Sequence, residues 1–401
     1  MIQRTSTDPP PAGPQPLAPL DHPPWEGRQA AHHRMARRLL VGATPRPAVG
    51  GPGARVGGAA DLAVFHLLKV LFSRSHRRNL AGAHYLDLEG GWMDLSLQAA
   101  EDLEDFYPRP LTPPLIAARR RGRLPGGWVE DLRFSSADYA PWRPTASRVL
   151  ARYPKNGTAH ARHLCHAEPG HPALIWLHGW GMGSYSLEAR ICQARRLYAL
   201  GLDVYLHIQP FHGPRRPHGV VFSGELYPST DVTLTNEALM QSIWELRTLL
   251  AWHRKVRGGA GGVLGLSLGA YLAASMATVA PELAFAACLL PVADVPALMW
   301  SNGEGTEDRL RAEAEGVPFD DFCQSMAIHA PLAHPPALPP ERLLLVGARG
   351  DRIIPPVHTQ VLWEHWGRPR LHWFDGGHVT HFGRSSYMRV LVDFLRETLH
   401  L

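Results

Sequence analysis

The stretch "GGVLGLSLGAYLAAS" (Gly261–Ser275) decides the fold. Its first half, "GGVLGL", is a short apolar run suited to a buried strand. Its second half, "LGAYLAAS", is small and helix-friendly. Ser267 stands at the junction, between Gly265 and Gly269. A serine at a sharp strand-to-helix turn takes strained backbone angles. Its neighbours two before and two after must then be nearly side-chain free. The G-x-S-x-G spacing meets that demand, and Ala270 adds a third small residue. A helix N-terminus beneath the hydroxyl also favours developing negative charge.

The same alternation extends in both directions. "WVEDLRFSSADY" and "ARHLCHA" read as strands, followed by "ALIWLHGWG" (Ala173–Gly181) and "LDVYLHIQP". Downstream come "LAFAACLLPVAD", "ERLLLVGARGD" and "PRLHWFDGGH". Helical patterns lie between them: "SLEARICQARRLYALG", "TNEALMQSIWELRTLLAWHR" (Thr235–Arg254) and the terminal "SYMRVLVDFLRETL". Strands apolar on both faces, alternating with helices, predict an α/β domain with a largely parallel, doubly covered sheet. Such sheets place their sites at the carboxyl ends of the strands.

Composition agrees with a globular domain, at 45% hydrophobic and 19% charged residues. The net charge of +5 is almost wholly arginine, since Lys69, Lys155 and Lys255 are the only lysines. The arginines are dispersed, with short clusters at Arg119–Arg121 and Arg215–Arg216, so a solvated arginine-rich surface is expected and no nucleic-acid partner. Cys165, Cys192, Cys288 and Cys323 form no CxxC pair and read as small buried hydrophobes of a reducing, cytoplasmic protein. Neither a signal h-region nor a transmembrane span is expected.

Residues 1–58 read as a disordered Pro/Gly-rich tail, with eight prolines from Pro9 to Pro24 and "VGGPGARVGG" at its close. Residues 59–127 read as a helical and irregular extension, and 128–401 as the main domain. In the extension, "DLAVFHLLKVLFSRSHRR" (Asp61–Arg78) is a helix candidate with His66, Lys69, Ser73 and Arg77 on one face. It either docks on the main domain or makes peripheral contact with a membrane surface.

The polar residues at strand ends suggest the chemistry. A serine hydroxyl needs a base to take its proton. "DGGH" supplies His378 directly after a strand, with His381 as competitor. The imidazole needs a carboxylate to fix its tautomer. Asp351, in the loop of "LLLVGARGDRIIPP", is the expected acid, with Asp294 one strand earlier as the rival. A developing oxyanion needs donors, and the backbone amides of Trp180, in "HGWGMG", and of Leu268 are the candidates. His178 is expected to shape its loop. The insertion at about 295–340 carries Met299, Trp300, Phe319, Phe322 and Met326, which either line an acyl pocket or anchor the insertion to the core. His212, in "FHGPRRPHG", borders the same region as a pocket or a structural residue. The expected substrate-binding set is therefore His212, Trp300 and Phe322. This chemistry calls for no cofactor and no metal.

"HGWG", "GLSLG", "GARGDRIIPP" and "DGGH", in this order, resemble the α/β-hydrolase superfamily over roughly 128–401. A looser similarity, in "QPFHGPRRP" (Gln209–Pro217), the helix before the elbow and "GGHVTHF" (Gly376–Phe382), is to the branch named for abhydrolase domain eighteen. That branch also favours His378 over His381, although it carries a different residue where this chain has His178. The resemblance implies a mostly parallel eight-stranded sheet with helices on both faces, a small lid insertion, and a serine hydrolase triad. Ser267 matches the nucleophile, Asp351 the acid and His378 the base. The expected activity is hydrolysis of a carboxylic ester or thioester of a small-molecule acyl substrate. The alternatives are a serine peptidase of small peptides and a non-catalytic binding scaffold.

Overall fold

The computed structural model describes residues 25–41, 50–79, 103–107, 110, 114–136, 139, 144–229 and 231–401. Among them a nine-stranded sheet forms the centre, in the order β1-β2-β3-β5-β4-β6-β7-β8-β9. The strands are β1 (Ala117–Leu124), β2 (Gly127–Ser135), β3 (Thr158–His166), β4 (Ala173–Leu177), β5 (Asp203–Ile208), β6 (Gly261–Leu266), β7 (Ala286–Leu289), β8 (Leu343–Ala348) and β9 (Arg370–Phe374). The pairs β1–β2, β2–β3 and β3–β5 are antiparallel. From β5 through β4, β6, β7 and β8 to β9 every pair is parallel.

Every residue of β4, β5, β6, β7 and β8 is buried. Their side chains alternate between two cores, as the two-residue period of a strand requires. Ile175, Val263 and Leu345 join the core that also takes the helices Val232–Arg257 and Leu268–Val279. Trp176, Leu264 and Leu344 join the opposite core, with Phe394 and Leu395 of the helix Arg384–Leu399. A sheet apolar on both faces is thereby covered on both faces.

The ninth strand is a correction to the expected eight. Residues 117–124, "AARRRGRL", stood in a stretch read as irregular, yet they pair with β2 through a tight turn at Pro125–Gly126, where Gly126 has φ 70°. All of β1 but Leu124 is exposed. An edge strand held by backbone pairing needs no apolar alternation, so its arginines hid it. The sheet therefore begins before residue 128.

The expected disordered tail is corrected over its described part. Trp25–Val41 is a helix, and a second helix, Pro52–Asn79, starts inside "VGGPGARVGG". His32, Ala36 and Leu39 form a buried stripe on the first helix. It docks on the insertion after β7: Arg37 makes two bonds to Asp320, and Arg38 pairs with Glu364 beyond it. Neither helix buries enough surface alone; each is ordered by what it lies against. Residues 1–24 and 42–49 of that tail lie outside the described residues. So do the side chains of 67–79, and with them Lys69, Ser73 and Arg77. Among the described residues no helix is long and apolar enough to cross a membrane. The four cysteines are each buried and free.

A buried ion network fixes the loop after β5. Arg215 Nη1 and Nη2 donate to the two carboxylate oxygens of Glu245 at 2.8 and 2.7 Å, and both side chains are fully buried. His207 Nε2 meets Glu245 at 2.8 Å. Arg215 also donates to the carbonyls of Ile208 and Asn156. Burial alone would raise the Glu245 carboxyl, but the charges and hydrogen bonds of Arg215 and His207 together outweigh it and hold it at about 2. Its stabilising contribution is therefore present above the ordinary carboxyl range and is lost as pH falls toward 2. Arg215→Ala leaves an uncompensated buried carboxylate. It is expected to destabilise the protein by about 3–5 kcal/mol, read as a lowered urea midpoint; an unchanged midpoint would contradict this account of the network.

Candidate active site

Ser267 sits where β6 passes into the helix Leu268–Val279, with φ 57° and ψ −117°. Its two glycines explain how the turn closes. A Cβ on Gly265 would lie 2.0 Å from the Gly269 carbonyl oxygen. A Cβ on Gly269 would lie 2.0 Å from the Leu177 carbonyl oxygen of β4. The Ser267 amide donates to Leu289 O on β7 at 2.9 Å, and its carbonyl accepts from Ala270 and Tyr271. A residue held in such a sparsely populated conformation persists only when its surroundings over-determine it.

The structure brings three of the expected residues together. The Ser267 hydroxyl lies 3.0 Å from His378 Nε2, and His378 Nδ1 lies 2.7 Å from Asp351 Oδ2. With Nδ1–H donating to the carboxylate, Nε2 is left to accept from the serine. The other Asp351 oxygen accepts from the amides of Ile353 at 2.9 Å and Ile354 at 2.7 Å, which fixes the carboxylate. Burial would lower the His378 imidazole, but the charge and hydrogen bond of Asp351, with a further push from the charge of Asp61, raise it above its ordinary value. The His378 side chain remains 13% exposed, and Asp351 is 2% exposed.

The rivals have other partners. His381 Nε2 donates to the His378 carbonyl at 2.9 Å, and its Nδ1 meets the Tyr387 hydroxyl at 2.7 Å. Burial pushes its ring down to about 4, so it braces the base loop as a neutral group. Asp294 caps the helix Val295–Asn302 with one oxygen and accepts from His32 with the other, at 2.7 Å. Both of its oxygens are spoken for, away from His378.

Leu268 directly follows the serine, and Trp180 stands in the loop after β4. Leu268 opens the elbow helix, whose first amides have no intrahelical acceptor. Across from it, a Cβ on Gly179 would come within 3.5 Å of Ser267 Cβ, so the "HGWGMG" loop runs beside the hydroxyl. The Trp180 indole donates to Gly224 O at 2.7 Å, which turns that side chain away into the next loop. His178 is fully buried and holds the loop from behind. Its Nδ1 donates to Gly179 O at 2.8 Å, and its Nε2 accepts from the Gln209 amide at 3.1 Å. Burial holds its ring well below the ordinary value, in keeping with a neutral, structural imidazole.

Each of the expected substrate-binding residues has close partners of its own. His212 is fully buried, with Nδ1 on Pro210 O at 2.9 Å and its ring beside Gly224. Phe322 is 1% exposed, and its ring meets Trp300 at 6.0 Å. Trp300 also meets Phe319 at 5.7 Å and carries the Arg309 guanidinium 3.6 Å over its face. These ring contacts lie within the insertion, and Phe322 joins the core cluster with Trp300 and Phe319 packed against it.

Sequence reasoning missed Asp61, a fully buried carboxylate on the Pro52–Asn79 helix whose oxygens accept from the amides of His378 and Val379. The only hint was an acid opening an apolar run. Glu130, His163 and Cys165 lie close enough to share a metal ion. Burial would lower the His163 ring, yet Asp203, Cys165 and Glu130 raise it to about 10. A protonated imidazole is a poor ligand, and the group reads as a buried ion cluster across β2 and β3.

Comparison with known proteins agrees with the fold. The family described as Alpha/beta hydrolase domain containing 18 matches residues 136–306. The Mycobacterium tuberculosis (strain CDC 1551 / Oshkosh) protein MT2702 is 33% identical over 337 residues, 82% of this chain and 76% of that protein. Rv2627c of Mycobacterium tuberculosis (strain ATCC 25618 / H37Rv) is 33% identical over 64% of this chain and 61% of its own length. Among solved structures, acetyl xylan esterase 1 from Thermoanaerobacterium sp. JW/SL YS485 superposes with a TM-score of 0.51 at 14% identity, covering 76% of this chain and 93% of that one, a likeness of fold. The chain belongs to the α/β-hydrolase superfamily, in the branch of alpha/beta hydrolase domain containing 18.

Proposed function

We propose that this hydrolase cleaves a carboxylic ester or thioester through an acyl-serine intermediate. The observation that carries the reading is the unbroken line from the Ser267 hydroxyl through His378, at 3.0 Å, to Asp351, at 2.7 Å. A strained serine backed by a base and an oriented acid is the arrangement that activates a hydroxyl.

Ser267 Oγ attacks the acyl carbon while its proton passes to His378 Nε2. Asp351 stabilises the imidazolium without taking the proton itself. The carbonyl oxygen becomes an oxyanion, stabilised by the amides of Trp180 and Leu268. As the tetrahedral species collapses, the bond to the alkoxide or thiolate breaks and His378 returns the proton to that leaving group. Water, deprotonated by the same imidazole, then attacks the acyl-enzyme; the bond to Ser267 Oγ breaks, His378 returns the proton to that oxygen, and the acid leaves. Each step uses the chain's own groups.

A panel of p-nitrophenyl esters of rising acyl length, acyl thioesters and peptide amides tests the reading. Esters or thioesters are expected to turn over, and Ser267→Ala and His378→Ala each to cut kcat by more than about a thousandfold with the thermal melt retained. Turnover of peptide amides alone would favour a peptidase, and activity that survives Ser267→Ala would remove the serine from the mechanism. The raised His378 value carries a pH expectation. The base must be neutral to act, so the acid limb of kcat/KM is expected to have its midpoint above 6.5. A midpoint below that value would contradict the electrostatics of the site.

A further inference from the structure

The glycine-rich start of the Pro52–Asn79 helix lies against the loops that carry the acid and the base. A Cβ on Gly57 would lie 2.4 Å from the Gly377 amide nitrogen, and one on Gly58 would lie 3.0 Å from the Gly350 carbonyl oxygen. A Cβ on Gly53 would lie 2.4 Å from the Asp375 carbonyl oxygen. Backbone-to-backbone approach of this kind needs glycine. One turn further on, Asp61 points its carboxylate into the same seam and is fully buried there. Oδ2 accepts from the His378 amide at 2.6 Å and the Arg352 amide at 3.2 Å. Oδ1 accepts from the Val379 amide at 2.9 Å.

We propose that Asp61 is a positioning residue for the base: a carboxylate from the N-terminal helix that clamps the acid loop, through Arg352, to the base loop, through His378 and Val379, and so holds the imidazole between Asp351 and Ser267. Three amides from two loops converge on one acceptor-only group. An amide side chain could not replace it, because its NH2 would face N–H donors on one side. The clamp acts on the backbone of His378 itself and on the residue next to Asp351, so a slip of either loop changes the distances on which proton transfer depends. Its negative charge is a second effect, since it favours the imidazolium.

This role rests on the Ser267–His378–Asp351 reading. The test is therefore chosen to separate the two. The charged and titratable groups around His378 are Asp351, Asp61, Arg352 and His381, with Arg349 and Asp375 beside the glycine seam and Arg384 beyond His381. The second-order rate at which a fluorophosphonate labels Ser267 is measured against pH for wild type, Asp61→Asn, Asp61→Glu and, as a control, Val56→Ser at an exposed position of the same helix. Asp61→Asn is expected to lower the plateau rate about ten- to hundredfold and to move the acid-limb midpoint to lower pH, in a protein that still melts cooperatively. Asp61→Glu is expected to restore the midpoint, and Val56→Ser to label as wild type. Wild-type rate and midpoint in a folded Asp61→Asn protein would overturn the proposal. If Asp61→Asn does not fold, Gly57→Ala decides: it keeps the carboxylate but pushes the helix off Gly377. Slowed labelling in it supports the clamp and unchanged labelling overturns it. A wild type that does not label at Ser267 overturns the triad reading, and this role with it.

Discussion

The site depends on one close approach, that of Gly269 to the end of β4. The elbow helix begins where its second residue all but touches the Leu177 carbonyl, and only hydrogen fits between them. That contact forces Ser267 to φ 57° and lifts its side chain off the sheet edge. The parallel order β4–β6–β7 supplies the frame, with the Ser267 amide tied across to Leu289 on β7. Strain at Ser267 is thereby carried by strands buried on both faces, where interiors resist small displacements.

Around the serine, polar groups buried behind each loop do the aligning. His178 joins the loop after β4 to Gln209 after β5, and Arg215 joins that second loop to Glu245 on the long Val232–Arg257 helix. On the other side, Asp351 is locked by two amides of its own loop, and His381 braces the carbonyl of His378. A buried histidine that stays neutral and a buried carboxylate that stays paired are both ordinary solutions to desolvation. Here they are distributed so that every loop bearing a reacting group has a satisfied polar anchor beneath it.

Much of this was legible in the sequence, for a physical reason. Strands β4 to β8 announce themselves because their residues are buried on both faces, and glycines bracket the serine because a Cβ at either would strike backbone. The proposed acid and base, Asp351 and His378, were readable from their places after β8 and β9. The count is nine strands rather than eight because β1 is an arginine-rich edge. The helix Trp25–Val41 was hidden because its buried stripe of His32, Ala36 and Leu39 is short and set among arginines. Asp61 was hidden most deeply. Its partners are backbone amides 291, 317 and 318 residues away, and glycines that look like chain breakers are what let its helix reach them. The anchoring and lining alternatives for Trp300 and Phe322 were not separable in the sequence, since an aromatic at either kind of position looks the same there.

The most direct measurement of the central claim is a crystal structure of the protein after reaction with an alkyl phosphonate ester. The account predicts a phosphorus–oxygen bond at Ser267 Oγ, with the phosphoryl oxygen in hydrogen-bonding reach of the amides of Trp180 and Leu268 and with His378 still seated on Asp351. An adduct on another residue, or a phosphoryl oxygen turned away from both amides, would contradict it.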